Sequence, residues 1–192
     1  LSCTELPDKL DSVGVPAEGS DIRIIDAEGR EAAAGGIGEV VGRSRGMMLG
    51  YYKRQDLTDD MLWRSPEGET FFRTGDMGRI DEDGFLYLLD RIKDMIISGG
   101  FNIYAADLEA VMTPHDAVAD VAVIGVPSET WGETPLGLVV RTPGSDLAEA
   151  DLLAWTNDRL GKAQRLSAIE YRRSLPRNAI GKILKRELRA PY

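Results

Sequence analysis

An α+β fold in two successive units is predicted by three features of the sequence. Residues 12–90 alternate Ile and Val with polar positions and break at Asp-Gly and Glu-Gly pairs, the pattern of antiparallel hairpins. Beyond residue 90, helical spacing alternates with uninterrupted apolar runs, as in buried strands flanked by helices. With 192 residues, 43% of them hydrophobic and 29% charged, the chain is long enough to bury a core without disulfide or metal staples.

Taken in order, "SDIRIID" and "GEVVGRS" read as strands separated by the turn "AEGRE". "DLTDDMLW" is the one helical insert of the first unit, with an Asp or Thr as its cap. "ETFFRTGD", "MGRIDEDG" and "FLYLLDR" read as three further short strands, with a tight Thr-Gly corner before Asp76. In the second unit, "DMIIS" and "FNIY" flank the Gly99-Gly100 pair, and "AADLEAVMTPH" has helical spacing. "VADVAVIGVP" and "LGLVVRTP" are buried-type strands, and "LAEADLLAWTNDRLG" is an amphipathic helix closed by Gly161. "AIEYRRSLP" is a last strand and "KILKREL" a final short helix; no internal repeat or low-complexity segment interrupts the series.

Composition excludes several function classes. Cys3 is the only cysteine and His115 the only histidine, so neither a disulfide framework nor a Cys/His zinc cluster can be built, and a reducing, cytosolic setting is expected. No apolar run approaches the ~20 residues of a membrane span. The net charge of −9 sits entirely in residues 1–90, while residues 91–192 are neutral. Within that neutral half, residues 159–189 hold ten Lys and Arg against Glu170 and Glu187. An acidic body with a local basic cluster argues against a nucleic-acid binder, and a small phosphorylated ligand suits the cluster as well as a merely solvated face does.

Individual residues then acquire chemical meaning. Asp76, after "FFRTG", can accept from two neighbouring hydroxyls at once, as in a ribose diol, or bond its own turn. Arg91 and Lys93 lie between two hydrophobic stretches, and Gly99-Gly100 permits unusual dihedrals or a flat backbone against a thin ligand. Lys182, in "RNAIGKILKREL", is either surface charge or an ammonium carried on a flexible loop. The segment is no phosphate-binding P-loop, since the first glycine and the hydroxyl residue after the lysine are both absent. His115 reads as a loop residue without a partner, and Trp131 as core or interface packing rather than a ligand contact.

Order and spacing connect these scattered signals. "GIGEVVGRSRGMMLGYYKRQDLT", "FFRTGDMGRIDEDGFLYLLDRIKDMIISGGFNIYAADLE" and "LPRNAIGKILKREL" follow one another as in the C-terminal portion of the adenylate-forming superfamily, which the chain resembles from about Ser12 to Leu188. That family includes acyl-CoA synthetases, peptide-synthetase adenylation domains and luciferases. The resemblance implies that residues 1–90 form the β-rich end of a large AMP-binding domain and residues 91–192 a small C-terminal domain, with a hinge at about 91–94.

Position by position, the resemblance implies that Asp76 and Arg91 bind the ribose of ATP and AMP, and that Lys93 is the hinge. It sets Gly99 and Gly100 beside the pantetheine arm of coenzyme A and Arg165 near the CoA nucleotide. Lys182 becomes the catalytic lysine that stabilises the α-phosphate while acyl-AMP forms, with Mg²⁺ arriving mainly through ATP. Implied partners are small molecules: ATP, a carboxylic acid and CoA. The family's phosphate loop and acyl pocket are not in this sequence, so an N-terminal domain is expected in cis and the chain is expected to be inactive alone. Ala105 and Leu166 stand where the family commonly has proline, and Ile97 where luciferases and plant coumarate ligases often carry lysine, which favours acyl- or aryl-CoA ligases. Two alternatives stay open: an adenylation-domain fragment that loads a carrier protein's phosphopantetheine, and a non-catalytic domain that kept the fold.

Overall fold

A computed structural model describes residues 7–192; Cys3 lies outside the described residues. Its architecture is α+β, with two sheets and four α-helices, and the chain divides into two compact units, Leu1–Lys93 and Asp94–Tyr192.

The first unit is a five-stranded antiparallel sheet of β1 (Ser20–Ile25), β2 (Gly38–Ser44), β3 (Leu62–Arg64), β4 (Thr70–Ile80) and β5 (Leu86–Arg91). Strand β2 pairs with β1 and β4, while β3 and β5 take successive stretches of the remaining edge of β4. Because successive residues of a strand point to opposite faces, Ile25 and Val41 join Trp63 and Phe71 on one side, and Ile24 and Val40 join Leu86 on the other. The segments "FFRTGD" and "MGRI" are one strand rather than two, and Asp76 follows an irregularity inside β4 instead of a corner. Helix α1 (Gln55–Asp60) is shorter than its sequence pattern suggests, and its N-cap is Arg54 with no capping side chain. The cause is tertiary: Trp63 is buried, stacks edge-on against Phe71 at 5.3 Å and donates its indole N–H to the Gly29 carbonyl at 2.7 Å. That contact draws "LWR" into β3.

The second unit carries β6 (Ile96–Ser98), β7 (Phe101–Ile103), β8 (Val118–Ser128), β9 (Gly132–Arg141) and β10 (Ala168–Arg172), with helices α2 (Ala105–Met112), α3 (Glu149–Asn157) and α4 (Lys185–Arg189). All its strand pairs are antiparallel except β9–β10, which is parallel across the α3 connection. Val121 and Val123 of β8 face Leu108, Met112 and Leu152 of α2 and α3, whereas Ala122 and Ile124 face Leu175 and Leu188. Each fully buried leucine in these layers contributes roughly 1.5–3 kcal/mol. Gly161 does not close α3: the helix ends at Asn157, and Gly161 has φ −61°, outside the left-handed region. Instead the Asn157 side chain accepts the Leu166 N–H at 2.8 Å and donates to its carbonyl at 3.0 Å, anchoring the chain there. The last helix starts only at Lys185, because Arg177 and Ile183 first pair as an isolated bridge.

Candidate functional site

Asp76 and Arg91 are directly opposed residues of β4 and β5, and Arg91 Nε lies 2.7 Å from Asp76 Oδ1. The Asp76 N–H donates to Thr74 Oγ1 at 3.1 Å, and that hydroxyl donates to the Val40 carbonyl at 2.8 Å. The carboxylate is three-quarters shielded, and its Oδ1 is held by Arg91. A diol can reach such a group. Behind it stands Glu39, a buried acid that sequence reasoning passed over inside an ordinary strand pattern.

Lys93 is exposed in the 3₁₀ turn Ile92–Asp94, and the division between the two units falls immediately after it. The next residue, Asp94, is buried and accepts from Arg189 at 2.9 Å, so the start of the second unit is tied to α4.

Gly99 and Gly100 form the two-residue turn of the β6–β7 hairpin, with Ser98 opposite Phe101. Their φ values of +56° and +82° are those of a type I′ turn, which glycine adopts without strain. Gly99 N–H donates to the Trp131 carbonyl at 2.9 Å, and the Trp131 ring covers Gly99 so closely that a Cβ there would sit 2.8 Å from Cε3. Trp131 is 58% exposed, which removes it from the core. It lines a cavity of about 610 Å³ together with Gly99, Phe101, Lys162 and Arg165. Gly99 and Arg165, some 66 residues apart in sequence, are thereby brought to one site; Gly100 faces open space beside it.

Lys182 occupies a hydrogen-bonded hairpin rather than a loose loop. Asn178 Oδ1 accepts the N–H groups of Ile180 and Lys182 at 3.1 and 2.9 Å, and Asn178 N–H donates to the Lys182 carbonyl at 2.9 Å. Arg177 donates to the Gly181 carbonyl and to Asp120, both at 2.6 Å, fastening the hairpin to β8. The Lys182 side chain is exposed and has no ion pair among the described residues.

The basic cluster of residues 159–189 is therefore divided in use. Arg172, Arg177, Lys185 and Arg189 are held by Glu170, Asp120, Glu109 and Asp94, whereas Arg159, which lies over the Trp155 ring, and Lys162, Arg165, Arg173, Lys182 and Arg186 have no ion pair among the described residues. His115 does have partners: its Nδ1 accepts the Ala117 N–H at 3.0 Å and its ring meets Trp155 edge-on at 4.5 Å. Among the described residues no group of three or more His, Cys, Asp or Glu side chains could hold a metal ion, and no helix is long and apolar enough to cross a membrane.

Comparison with known proteins converges on one family. Residues 107–182 match the family model of the AMP-binding enzyme C-terminal domain. The 4-coumarate–CoA ligase-like 9 protein of Oryza sativa subsp. japonica is 38% identical over 96% of this chain, covering 33% of that relative. Among solved structures, ATP-bound MatB from Rhodopseudomonas palustris matches with a TM-score of 0.86 and 34% identity, over 95% of this chain and 36% of that one. The o-succinylbenzoate CoA synthetase MenE of Bacillus subtilis, solved with its acyl-adenylate intermediate, matches with a TM-score of 0.86 and 33% identity, over 98% of this chain and 37% of that one. The chain thus spans about a third of the length of the relatives it matches.

Proposed function

We propose that this chain, which belongs to the adenylate-forming superfamily and corresponds to the C-terminal portion of its longer ligases, supplies the mobile half of an AMP-forming acyl-CoA synthetase. Such an enzyme joins a carboxylic acid to AMP, expelling pyrophosphate, and then lets the thiol of CoA displace AMP. In this reading Asp76 and Arg91 grip the ribose in both steps. Lys93 is the pivot, Lys182 stabilises the charge that gathers at the α-phosphate during adenylation, and Gly99, Gly100 and Arg165 receive CoA. The remainder of the active site, including the acyl pocket, is supplied in cis by the rest of the ligase, and this portion does not adenylate by itself. The similar proteins are named for different acids, coumarate and o-succinylbenzoate among them; the acid is selected outside this chain. Mg²⁺ enters with ATP, and the cytosol is the expected setting.

The observation that carries this reading is the state of Lys182: a cation with no ion pair among the described residues, on a hairpin whose backbone and side-chain bonds fix its position. An ammonium so presented stabilises charge as it forms, and loss of one such donor costs on the order of 10²–10³ in rate. In the full-length ligase, Lys182→Ala is expected to abolish pyrophosphate exchange while conversion of supplied acyl-AMP to acyl-CoA stays within about twofold of wild type, far inside that range. Equal slowing of both half-reactions, or of neither, overturns the assignment. Arginine is a poor substitute, because a planar guanidinium does not replace a compact ammonium.

A further inference from the structure

Resting on the ribose role given above to Asp76, a positioning role can be assigned to a residue that touches no substrate. Strand β2 places Glu39 opposite Met77 and Val41 opposite Arg73. One residue of β2, Val40, therefore faces three of β4: Thr74, Gly75 and Asp76. The two surplus residues form a bulge, and a bulge leaves backbone groups without ladder partners. Here those groups are accounted for. Thr74 Oγ1 donates to the Val40 carbonyl and accepts from the Asp76 N–H, and the Gly75 N–H donates to Glu39 Oε1 at 3.2 Å. Glu39 Oε2 takes a fork from Arg73, with Nε at 2.9 Å and Nη2 at 2.5 Å.

A carboxylate with 8% of its side chain exposed is costly to bury unless its charge is paired and its lone pairs are used. Glu39 meets both conditions, and both partners of its side chain, Arg73 and Gly75, lie in the three residues that precede Asp76. Gly75 itself has φ +72°, so the chain reverses its hand at the one amide that Glu39 holds. We infer that Glu39 sets the ribose clamp: it fixes the Gly75 amide with one oxygen and the Arg73 guanidinium with the other. The bulge can then release Asp76 from the β2–β4 ladder, while on the β4–β5 side it stays opposite Arg91 with its carboxylate turned to a ribose.

The test is a discrimination ratio, which does not depend on how much of the enzyme is folded. In the full-length ligase, kcat/KM for adenylation is measured with ATP and with 2′-deoxy-ATP. Wild type is expected to prefer ATP by roughly tenfold or more, since a lost charged hydrogen bond has about that effect. Glu39→Gln turns one acceptor into a donor facing Arg73, and the ratio is expected to fall towards one, while the KM for the acid is unchanged. Arg73→Lys, which keeps Glu39 charged but removes the fork, is expected to give an intermediate ratio and serves where Glu39→Gln does not fold. Asp76→Ala separates the two layers of the argument. If Asp76→Ala keeps the wild-type ratio, the ribose role itself is wrong. If Asp76→Ala collapses the ratio but Glu39→Gln and Arg73→Lys both retain it, the ribose role stands and Glu39 is only a structural residue.

Discussion

Adding one methyl group at Gly99 or at Gly100 separates two effects that are normally mixed. Both residues have left-handed dihedrals, φ +56° and +82°, so alanine at either position incurs on the order of 1 kcal/mol of backbone strain. At Gly100 nothing lies within 4 Å of the new Cβ, and strain is the whole effect. At Gly99 the Cβ would stand 2.8 Å from Trp131 Cε3 and 3.2 Å from Cζ3, against about 3.5–4.0 Å for an ordinary carbon contact. The Gly99 N–H to Trp131 carbonyl bond ties the two backbones, so the indole yields by roughly 1 Å, for a further ~0.5–1.5 kcal/mol of off-rotamer strain. The ring it moves is a wall of the 610 Å³ cavity.

Urea denaturation of this chain is therefore expected to show Gly100→Ala down by about 1 kcal/mol and Gly99→Ala by about 2. In the full-length ligase the two variants are expected to adenylate alike. The CoA half-reaction should fall much further in Gly99→Ala, by roughly 10–100-fold, as a displacement of about 1 Å at a reacting centre allows. Identical losses in the CoA step would refute the idea that Trp131 shapes the thiol path, and an unstrained Gly100→Ala would refute the turn geometry.

Two further outcomes can be measured. Lys93→Pro is expected to spare adenylation and to block transfer to CoA if Lys93 is the pivot proposed above, because proline fixes φ there; equal losses in both steps would make Lys93 a ligand or a purely structural residue. The Asp81 carboxyl accepts from the Lys9 ammonium at 2.6 Å, from the Phe85 N–H and from the Tyr87 hydroxyl, and is held down at about 2. A depressed folded value stabilises the protein above the unfolded value near 4, and that contribution is lost as pH falls from about 4 through 2. Urea midpoints between pH 5 and 2 should therefore drop less steeply in Asp81→Asn than in wild type, and parallel curves would show that this cluster adds nothing to acid stability.

What could be read in the sequence and what could not divide along a physical line. Strands whose signal is local, such as "SDIRIID" with Ile22 and Ile24 alternating with Asp21 and Arg23, lie where the pattern indicates, because alternation encodes which face is buried. Failures occur where a distant contact decides. Trp63 leaves a helical pattern for a strand because Phe71 and the Gly29 carbonyl are its partners, and Asn157 stops α3 because its amide bridges to Leu166. The same limit hid Glu39: its sequence context is that of any surface-facing strand residue, and only the register across β2 and β4 reveals the bulge it supports. It also hid the cavity, since Gly99, Trp131 and Arg165 carry no shared periodicity.

The geometry of the second unit bears on how one unit would serve the two half-reactions proposed above. Strand β8 is a ruler inside that unit. The Lys182 hairpin is fastened to it through Arg177 at Asp120, near the start of β8, while Ser128 at its end borders the cavity that holds Gly99 and Arg165. Eight residues of strand separate those attachment points, about 26 Å at ~3.3 Å per residue. No lysine side chain spans that distance, and the hydrogen bonds of β8 with β9 keep the strand from folding back. On the roles proposed for Lys182 and for the Gly99–Arg165 cavity, attachment at opposite ends of β8 argues against one orientation of this unit presenting both to the same reacting carbon. If both steps belong to this protein, we propose that the unit turns between them at the boundary after Lys93, where the chain passes from one compact unit to the other.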